Sequence, residues 1–486
     1  MTMYGTSIQI AHPESQYING QWSPACGGSA YALTDPSTEE QLDGFAMGGV
    51  SDAEAAIIAA RAAFDHGPWP TMDPRERGRL IGALTELLEA RRGELEEAWT
   101  VQTGALPSMR SRAVNNGLGH LARAADQAAK FEFERRVVSA VGEAVIRREP
   151  VGVVTVISSW NGTLLQTASK IGPALAAGCC VIVKPARSTP MEAKIIAECA
   201  DKVGFPPGVI NVVLLASEGG DRLVTDARVD KVAFTGSTQV GRHIASTCGD
   251  RIARYSLELG GKSAGIVLDD ADIFTVGKIM ARTITALSGQ LCATLSRVIV
   301  SQEKHDALVD AITQEMAVIR VGSAYDAATE MGPMALHKQL QSVERHVSRA
   351  LEEGCTLAFG GARPKLPEKG YFFQPTLLTN VSEDSAIAQE EIFGPVLVVI
   401  KARDEEHAIS IANNSAYGLH GSVFTNDKTR ALEVARRIRT GSFAQNGMKL
   451  DFALPFGGYK QSGVGREGGE EALVGYLETK TILLDF

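Results

Sequence analysis

The sequence predicts an α/β fold with two large lobes, each built on a parallel β-sheet that carries helices on both faces. The first observation is length, because 486 residues are too many for one ordinary hydrophobic core. The second is pattern: short β-branched runs alternate with helical segments in one series from Gly152 and another after Gly261. Such alternation is typical of parallel sheets covered by helices.

The elements follow in chain order. Helical spacing of Ala, Leu, Glu and Arg predicts helices over residues 51–65 and 75–99. The first series predicts strands at Val153–Ile157, Cys180–Val183, Val209–Leu214 and Lys231–Phe234, with helices at Leu164–Ala177, after Pro190 and from Thr238 onward. The second series predicts strands at Ala264–Leu268, Arg297–Ser301, Val396–Ile400 and Ser422–Phe424, with a helix near Ala271–Ser288.

The stretch Lys130–Pro150 differs from both series because charged and apolar residues alternate along it. This alternation predicts a β-ribbon with one face in solvent. Its apolar residues would be adhesive if they were left unpaired. They are Phe131, Phe133, Val137, Val138 and Val145.

Composition and charge exclude several classes of protein. A net charge of −9 argues against a nucleic-acid-binding surface, and 44% hydrophobic residues with 22% charged residues describe a globular chain. The seven cysteines and nine histidines are scattered without metal-ligand spacing, so neither a metal site nor a disulfide framework is expected. No leader-like segment or membrane-length apolar run is present, and we expect a cytoplasmic protein.

Two short segments offer the chemistry of covalent catalysis. Glu258 lies in Leu257-Glu258-Leu259-Gly260-Gly261-Lys262-Ser263, and Cys292 ends Gly289-Gln290-Leu291-Cys292. A cysteine thiolate attacks carbonyl carbon, and a nearby glutamate can activate water against the resulting thioester. Each residue has an ordinary alternative, since isolated cysteines are usually small buried hydrophobes and glutamates beside glycines usually lie in solvated turns.

Further blocks occur in a fixed order around these two segments. They are Tyr17-Ile18-Asn19-Gly20, Ser159-Trp160-Asn161, Val183-Lys184-Pro185, Phe234-Thr235-Gly236-Ser237-Thr238, Glu390-Glu391-Ile392-Phe393-Gly394-Pro395, Pro455-Phe456-Gly457-Gly458-Tyr459-Lys460 and Gly465-Arg466-Glu467. With Arg297 shortly after the cysteine, this ordered set resembles the aldehyde dehydrogenase superfamily over nearly the whole chain.

The resemblance implies two Rossmann-like parallel-sheet lobes and an oligomerisation arm. It assigns residues 1–127 and 151–257 to a dinucleotide-binding domain and residues 258–451 to the catalytic domain with the cysteine. Residues 128–150 and 474–486, including the tail Thr479–Phe486, would form the arm of a homodimer or homotetramer. Residues 452–473 would return to the side of the cofactor-binding domain.

The expected cofactor is NAD or NADP. The segment Gly236–Gly241 follows a predicted strand and opens a predicted helix, where phosphate groups bind in such sheets. It lacks the G-x-G-x-x-G fingerprint, so spacing alone leaves a tight turn as the alternative. The resemblance implies that the cofactor is lined by Gly236, Ser237, Gly241, Ile157, Ser158, Trp160, Leu259 and Gly260.

The resemblance also implies which residues hold the two riboses. Lys184 would bind the adenosine ribose, whereas Glu391, with Phe393 packing nearby, would bind the nicotinamide ribose. An exposed lysine and an acidic turn are the respective alternatives. Many NAD-dependent members carry a glutamate three residues after the lysine, but here that residue is Arg187. A guanidinium can pair with the 2′-phosphate of NADP, so we expect NADP to be accepted, with a solvent-facing arginine and NAD use as the alternative.

The implied mechanism gives each catalytic residue a role. Cys292 attacks the aldehyde, and the Asn161 amide together with the Cys292 backbone N–H stabilises the oxyanion. After hydride loss, Glu258 activates the water that hydrolyses the thioester. Lys170 and Glu467 would relay protons to Glu258, although a surface cation and a helix-entry carboxylate are the alternatives. No charged residue next to Cys292 in sequence explains how its thiol is activated.

Two departures from the family pattern concern the substrate. Relatives commonly have Pro-Trp-Asn followed by a bulky residue, where this chain has Ser159-Trp160-Asn161-Gly162, and Ser169 stands where some place a large aromatic. A wider or more polar tunnel is therefore expected, unless neighbouring loops fill the space.

Three other functions remain to be weighed. A non-catalytic dinucleotide-binding relative could have lost Cys292, Glu258 or Asn161, but all three are present. A coenzyme A-acylating enzyme characteristically lacks the Glu258 carboxylate. A cysteine hydrolase would need a histidine base, and neither His305 nor His337 lies in such a motif. The sequence therefore favours oxidation of an aldehyde to a carboxylic acid.

Overall fold

The computed structural model describes residues 7–485. Residues 1–6, assigned above to the cofactor-binding domain, and Phe486, assigned to the arm, lie outside the described residues. The described chain forms an eight-stranded and a seven-stranded sheet with flanking helices, and a three-stranded and a two-stranded sheet. The predicted α/β class is confirmed.

The strands are β1 Ser15–Ile18, β2 Gln21–Pro24, β3 Ser29–Thr34, β4 Gln41–Met47, β5 Glu134–Ser139, β6 Gly142–Pro150, β7 Val153–Ile157, β8 Cys180–Lys184, β9 Ile210–Val212, β10 Lys231–Thr235, β11 Arg254–Glu258, β12 Ser263–Val267, β13 Leu295–Ser301, β14 Thr356–Phe359, β15 Thr376–Thr379, β16 Val396–Ala402, β17 His420–Phe424, β18 Ser442–Gln445, β19 Gly463–Val464 and β20 Leu477–Leu484.

The α-helices are α1 Val50–His66, α2 Pro74–Ala90, α3 Arg92–Thr103, α4 Pro107–Lys130, α5 Thr163–Ala177, α6 Met191–Val203, α7 Ser217–Thr225, α8 Thr238–Asp250, α9 Ile273–Thr285, α10 His305–Val318, α11 His337–Glu352, α12 Ala386–Gln389, α13 Glu405–Asn413, α14 Lys428–Arg437 and α15 Gly469–Val474. Short 3-10 turns lie at Trp69–Thr71, Ala286–Gly289 and Lys460–Ser462.

The first large sheet has the strand order β19-β11-β10-β7-β8-β9-β1-β2. The four predicted strands β7, β8, β9 and β10 are parallel, as is the unpredicted β11, whereas β1 is antiparallel to β9 and β19 is antiparallel to β11. The sequence pattern did not predict these edge strands because they are short. The parallel register aligns the carboxyl ends of four strands, so that Ile157, Lys184, Thr235 and Glu258 lie along one edge.

The second large sheet has the order β14-β15-β16-β13-β12-β17-β18 and is parallel except for β14. Its strands begin at Ser263 and end at Gln445, and it packs its two faces against two separate clusters of buried apolar residues. The chain therefore leaves the first sheet at β11, completes the second sheet, and returns to the first at β19.

Two helical regions differ from the sequence prediction. The helix expected over 75–99 is two helices, because the chain bends at Arg91, whose guanidinium pairs with Glu94 and Glu198. The long helix α4 was not predicted, although it begins with a proline at its first position, where the missing N–H costs nothing. It packs against α2 and α5, and it supplies part of the wall of the cavity described below.

The ribbon predicted over 130–150 is the antiparallel hairpin β5–β6, and β20 pairs with β6 to make a three-stranded sheet. Its apolar residues have different environments. Val145 is buried and Phe131 packs edge-on against Phe133, whereas Val138 remains 87% exposed.

Candidate active site

A cavity of about 420 Å³ brings together four of the predicted catalytic residues, namely Cys292, Asn161, Glu258 and Glu467. Much of its wall is apolar. The apolar lining includes Trp99, Met109, Leu291, Met448, Leu450, Phe452 and Phe456. Helices α4 and α5 contribute to this wall, as does the segment between β18 and β19. The cavity therefore joins residues that lie far apart along the chain.

Cys292 lies on a loop that is held tightly before β13. Leu287, Ser288 and Gly289 have consecutive positive φ values of 46°, 54° and 72°. Only glycine fits at 289, because a Cβ there would lie 2.1 Å from the carbonyl oxygen of Gly394. The Ser288 hydroxyl donates to the carbonyl of Gly332 at 2.7 Å, which fixes the turn. These contacts set the position of the thiol.

The Cys292 thiol is protonated at neutral pH in this environment. Burial raises its pKa to about 12, and the negative charges of Glu258 and Glu391 add to this effect. A hydrogen bond from the Ala293 backbone N–H acts in the opposite direction, but its effect is smaller than that of burial and of either carboxylate.

Glu258 ends β11 in an environment with no hydrogen-bonding partner. Both carboxyl oxygens are buried and unpartnered among the described residues. Burial is the main reason that its pKa lies well above the usual range, and the negative charge of Glu467 raises it further. A close approach of Gly457, whose Cβ would lie 2.7 Å from Oε1, confines the group. A carboxyl group of raised pKa is suited to accepting a proton from water.

The buried Lys170 forms an ion pair with the partly buried Glu467 beside Glu258. The Lys170 ammonium also donates to Thr235 Oγ1 at 2.5 Å, and the Ser169 hydroxyl donates to Glu467 Oε2 at 2.7 Å. Lys170 is therefore a buried cation, as opposed to the surface lysine considered as the alternative. The geometry connects this pair with Glu258 electrostatically, and no direct hydrogen bond joins them to it in the described chain.

Asn161 is buried and lines the cavity with Cys292. Its backbone carbonyl accepts a hydrogen bond from Trp99 Nε1 at 2.9 Å, and its side-chain Nδ2 donates to the carbonyl of Gln290 at 2.8 Å. Gln290 is two residues before the nucleophile. Asn161 is thus tied directly to the loop that carries the thiol.

The predicted cofactor residues lie along the carboxyl edge of the first sheet. Ser237 caps α8 by accepting a hydrogen bond from the Val240 N–H, so the N-terminus of a 13-residue helix faces this edge. A Cβ on Gly236 would lie 2.4 Å from the Phe234 ring, and one on Gly241 would lie 2.6 Å from Leu259. The other predicted members, Ile157, Ser158, Trp160, Lys184 and Gly260, end or directly follow strands of the same edge.

Glu391 approaches the same region from the second sheet. Its Oε1 accepts a hydrogen bond from the Gly261 N–H at 3.0 Å, and burial raises its pKa to about 7. A Cβ on Gly260 would lie 2.1 Å from Oε2 of this carboxyl group, so glycine is required there. Phe393, with a φ of 56°, contacts the Trp160 ring edge-on at 5.4 Å.

Two cations stand together at the end of β8. Burial and, to a smaller extent, the positive charge of Arg187 together lower the pKa of Lys184 to about 8. The exposed Arg187 guanidinium lies 5.6 Å from the centre of the Tyr31 ring. Neither cation forms an ion pair with a described carboxylate. An anionic ligand group would relieve their mutual repulsion.

These residues fit a nicotinamide dinucleotide. A helix N-terminus suits phosphate, the Lys184 ammonium and Glu391 carboxyl group suit ribose hydroxyls, and the glycines leave room for a ligand close to the backbone. Within residues 7–485 no group of three His, Cys, Asp or Glu side chains could hold a metal ion. No helix in the described part of the chain is long and apolar enough to cross a membrane.

Sequence reasoning missed several residues that shape the site. Trp99 and Phe452 form part of the cavity wall, and Thr235 binds Lys170. Gln166 contacts Asn161 although it carries no motif of its own. Its position on α5, between Asn161 and Lys170, was the available signal.

The comparisons with known proteins agree with this geometry. The sequence model of the Aldehyde dehydrogenase family matches residues 22–482, and the chain belongs to that family. It is 39% identical over 475 residues to 3-succinoylsemialdehyde-pyridine dehydrogenase from a Pseudomonas species, covering 96% of this chain and 98% of the relative.

Two solved structures show the same fold. An aldehyde dehydrogenase from Mycobacterium tuberculosis complexed with NAD+ has 37% identity and a TM-score of 0.94, covering 97% of this chain and 98% of its own. A variant of aldehyde dehydrogenase C from Pseudomonas syringae complexed with NAD+ and octanal has 34% identity and a TM-score of 0.94, covering 98% of each chain.

Proposed function

We propose that this protein oxidises an aldehyde to a carboxylic acid, with a nicotinamide dinucleotide as the hydride acceptor. One observation carries the proposal: Cys292, Asn161 and Glu258 line a single cavity. Family membership supports the reaction class. The assignment of a role to each residue is our own.

The first chemical step is addition of Cys292 to the aldehyde. The thiol proton passes to solvent water, and the thiolate Sγ forms a bond to the carbonyl carbon while the carbonyl oxygen takes up the negative charge. The Asn161 amide and the Cys292 N–H stabilise this oxygen. Burial raises the pKa of this thiol to about 12, so the addition step includes the cost of ionising it.

The second step breaks the aldehyde C–H bond. The chemistry that the dinucleotide supplies when bound is acceptance of the hydride from the substrate carbon. Loss of that hydride leaves a thioester on Cys292 Sγ. The apolar wall that includes Trp99, Phe452 and Phe456 limits the water that can reach this carbon before the hydride has left.

The third step hydrolyses the thioester. Glu258 accepts a proton from water, the water oxygen bonds to the acyl carbon, and the C–S bond breaks to release the acid and Cys292 thiolate. Burial raises the pKa of Glu258, which increases its affinity for the proton that it takes from water. The proton then passes to the Lys170–Glu467 pair, whose charges are already coupled to Glu258.

We assign the two large sheets to two domains. Residues 1–127 and 151–257 bind the dinucleotide, residues 258–451 carry the nucleophile, and residues 452–473 return to the cofactor side. This division follows the point at which the chain passes from β11 to β12. Residues 128–150 and 474–486 form the arm, and the exposed Val138, Leu483 and Leu484 side chains support a role in homo-oligomer assembly. Light scattering of the purified protein would distinguish a monomer from a dimer or tetramer.

The cytoplasm is the proposed location. All seven cysteines are free thiols, as expected for a chain kept in a reducing compartment.

For the cofactor, we propose that NADP is accepted as well as NAD. The pair Lys184 and Arg187 has an unbalanced positive charge that a 2′-phosphate would neutralise. The mostly apolar cavity favours aldehydes with an apolar body.

The test measures the reduction of NAD and of NADP by the change in absorbance. The substrates are a panel of aliphatic aldehydes, aromatic aldehydes and semialdehydes, and each is assayed with and without coenzyme A. We expect turnover without coenzyme A. A strict requirement for coenzyme A would show that the acyl group is transferred to coenzyme A and is not hydrolysed. If protein that binds the dinucleotide reduces neither NAD nor NADP with any aldehyde, the oxidoreductase assignment is refuted.

Arg187→Glu tests the cofactor proposal separately. We expect it to lower kcat/KM for NADP at least tenfold relative to NAD, since each lost charge-assisted hydrogen bond costs about 1.5–3 kcal/mol. Arg436→Glu, an exposed arginine on α14, is the matched control and should leave the ratio unchanged. An unchanged ratio in Arg187→Glu would show that this arginine does not select the cofactor.

A further inference from the structure

A cluster of hydrogen bonds surrounds the side-chain oxygen of Asn161. Asn161 Oδ1 accepts from Gln166 Nε2 at 3.0 Å and lies 2.6 Å from the Ser159 hydroxyl oxygen. Gln166 Oε1 in turn accepts from the Ser159 N–H at 3.0 Å and lies 2.7 Å from the same hydroxyl. The single hydroxyl proton of Ser159 is shared between these two acceptors.

We propose that Gln166 and Ser159 are positioning residues that lock the Asn161 amide in the one orientation that stabilises the oxyanion. This inference rests on the proposed function. It concerns residues that do not touch the reacting atoms themselves.

The orientation of both amides follows from backbone groups that cannot exchange roles. A carbonyl oxygen only accepts, so the Asn161 atom 2.8 Å from the Gln290 carbonyl is the nitrogen. A backbone N–H only donates, so the Gln166 atom 3.0 Å from the Ser159 nitrogen is the oxygen. Gln166 therefore presents its NH₂ group to Asn161 Oδ1, and the two amides can form a bond in this orientation alone.

The Asn161 side chain has more hydrogen-bonding capacity than its neighbours use. The Asn161 amide has two N–H donors and an oxygen with two lone pairs. One N–H is used by Gln290, and the oxygen is occupied by Gln166 and approached by Ser159. The second N–H is the one polar group of this side chain without a partner in the described structure. It is therefore available to the carbonyl oxygen of a bound aldehyde.

This arrangement accounts for both departures from the family pattern at this segment. A proline in place of Ser159 would have neither the N–H nor the hydroxyl that holds Gln166. A Cβ on Gly162 would lie 3.0 Å from Gln166 Nε2 and 3.3 Å from its Cδ, so a bulky side chain would displace the glutamine from Asn161. Ser159 and Gly162 thus leave room for Gln166 to contact Asn161.

The test uses Gln166→Met, which keeps the side-chain length and removes all three side-chain hydrogen bonds to Ser159 and Asn161. The measurement is the pre-steady-state burst of reduced dinucleotide, which reports addition and hydride loss before hydrolysis. We expect the burst rate to fall between about tenfold and 10²-fold, the range for a misplaced catalytic group. The KM for the dinucleotide should stay unchanged, since Gln166 lies among the residues of the aldehyde cavity.

A double-mutant cycle with Asn161→Ala separates positioning from a general structural effect. Asn161→Ala alone should slow the burst by about 10²–10³-fold. If Gln166 acts through Asn161, adding Gln166→Met to Asn161→Ala should cause less than a twofold further loss. Equal losses in both backgrounds would overturn the proposal, as would an unchanged burst rate in Gln166→Met alone.

Ser159→Ala and Gln102→Met complete the experiment. Ser159→Ala removes only the hydroxyl, and we expect a smaller loss of about threefold to tenfold, consistent with one hydrogen bond. Gln102 is another buried glutamine, bonded to Glu192 at 2.7 Å and not to Asn161, so Gln102→Met should not change the burst rate at a temperature where the protein is folded. Wild-type protein that binds the dinucleotide but forms no reduced dinucleotide with any aldehyde, either in the first turnover or in the steady state, would refute the proposed function itself.

Discussion

Two carboxyl groups, Glu258 and Glu391, act electrostatically on Cys292, and their surroundings differ. Glu391 is fixed in position, because its Oε1 accepts a hydrogen bond from the Gly261 N–H and Gly260 packs against Oε2. Neither oxygen of Glu258 has a hydrogen-bonding partner within residues 7–485. Both groups raise the pKa of the thiol, and burial raises the pKa of both.

The difference supports the separate roles that we propose for the two groups. A carboxyl group fixed by a backbone N–H presents its remaining lone pairs in a constant direction, which suits a ligand hydroxyl. The oxygens of Glu258 have no protein partner among the described residues, so they are left to accept a hydrogen bond from water, which suits proton transfer.

The largest effect is expected from removal of the nucleophile that both carboxyl groups face. Cys292→Ala should reduce turnover to the background of the assay, because no thioester can form. Dinucleotide binding, measured by protein fluorescence quenching, should be retained. The control is Cys26→Ala, which removes an exposed thiol. Turnover near the wild-type rate in Cys292→Ala would disprove the assignment of the nucleophile.

Glu258→Gln is expected to have the next largest effect. Loss of the base should lower steady-state turnover by about 10²–10⁴-fold, while the burst of reduced dinucleotide persists because addition and hydride loss precede hydrolysis. Stopped-flow absorbance measures both phases. A variant that loses the burst and turnover equally would show that Glu258 acts before hydrolysis.

Glu391→Gln should affect binding more than hydrolysis. The amide oxygen can still accept the Gly261 N–H, but the weaker acceptor should raise the KM for the dinucleotide by about tenfold, as expected for one charge-assisted hydrogen bond. The neighbouring Glu390→Gln, on an exposed side chain, is the matched control. If Glu391→Gln instead slowed hydrolysis as much as Glu258→Gln, the contrast between the two groups would be wrong.

Glu467→Gln should produce the smallest change, in the pH dependence. The charge of Glu467 raises the pKa of Glu258, and a base works in its ionised form, above that pKa. Removing the charge lowers the pKa, so the acidic limb of the hydrolysis rate should move to lower pH. Single-turnover decay of the acyl-enzyme across pH measures this. A shift toward higher pH would contradict the electrostatic coupling.

Much of the first sheet was predictable because its inner strands are buried on both faces. Runs such as Val153–Ile157, whose predicted and observed bounds are identical, contain only residues that favour strands. The short antiparallel edges had no such pattern, and Val209–Leu214 shortened to Ile210–Val212 because only three residues pair with β8 and β1. The α/β class was confirmed, while the domain limits and residue roles remain predictions.

A residue of the candidate site could be predicted from the sequence when its important neighbours lie in the same short segment of the chain. Glycine-rich turns such as Gly260-Gly261 mark close approaches that a sequence can signal. The contacts of Gln166 with Ser159, and of Lys170 with Glu467, depend on helix phase and on chain segments up to 297 residues apart. The unpredicted α4 is a further reason, since a cavity wall cannot be anticipated when one of its helices is missing from the prediction.

The return of the chain to the first sheet at β19 has a consequence for biosynthesis. Leu257 pairs with Val464 and Glu258 with Gly463, so the second sheet is topologically an insertion between neighbouring strands of the first. A ribosome must translate the whole insertion before β11 gains its outer neighbour. A chain truncated within the second sheet therefore has an unpaired β11 edge, which is a template for aggregation. Nascent chains released at that stage should depend on chaperones more than the finished protein does.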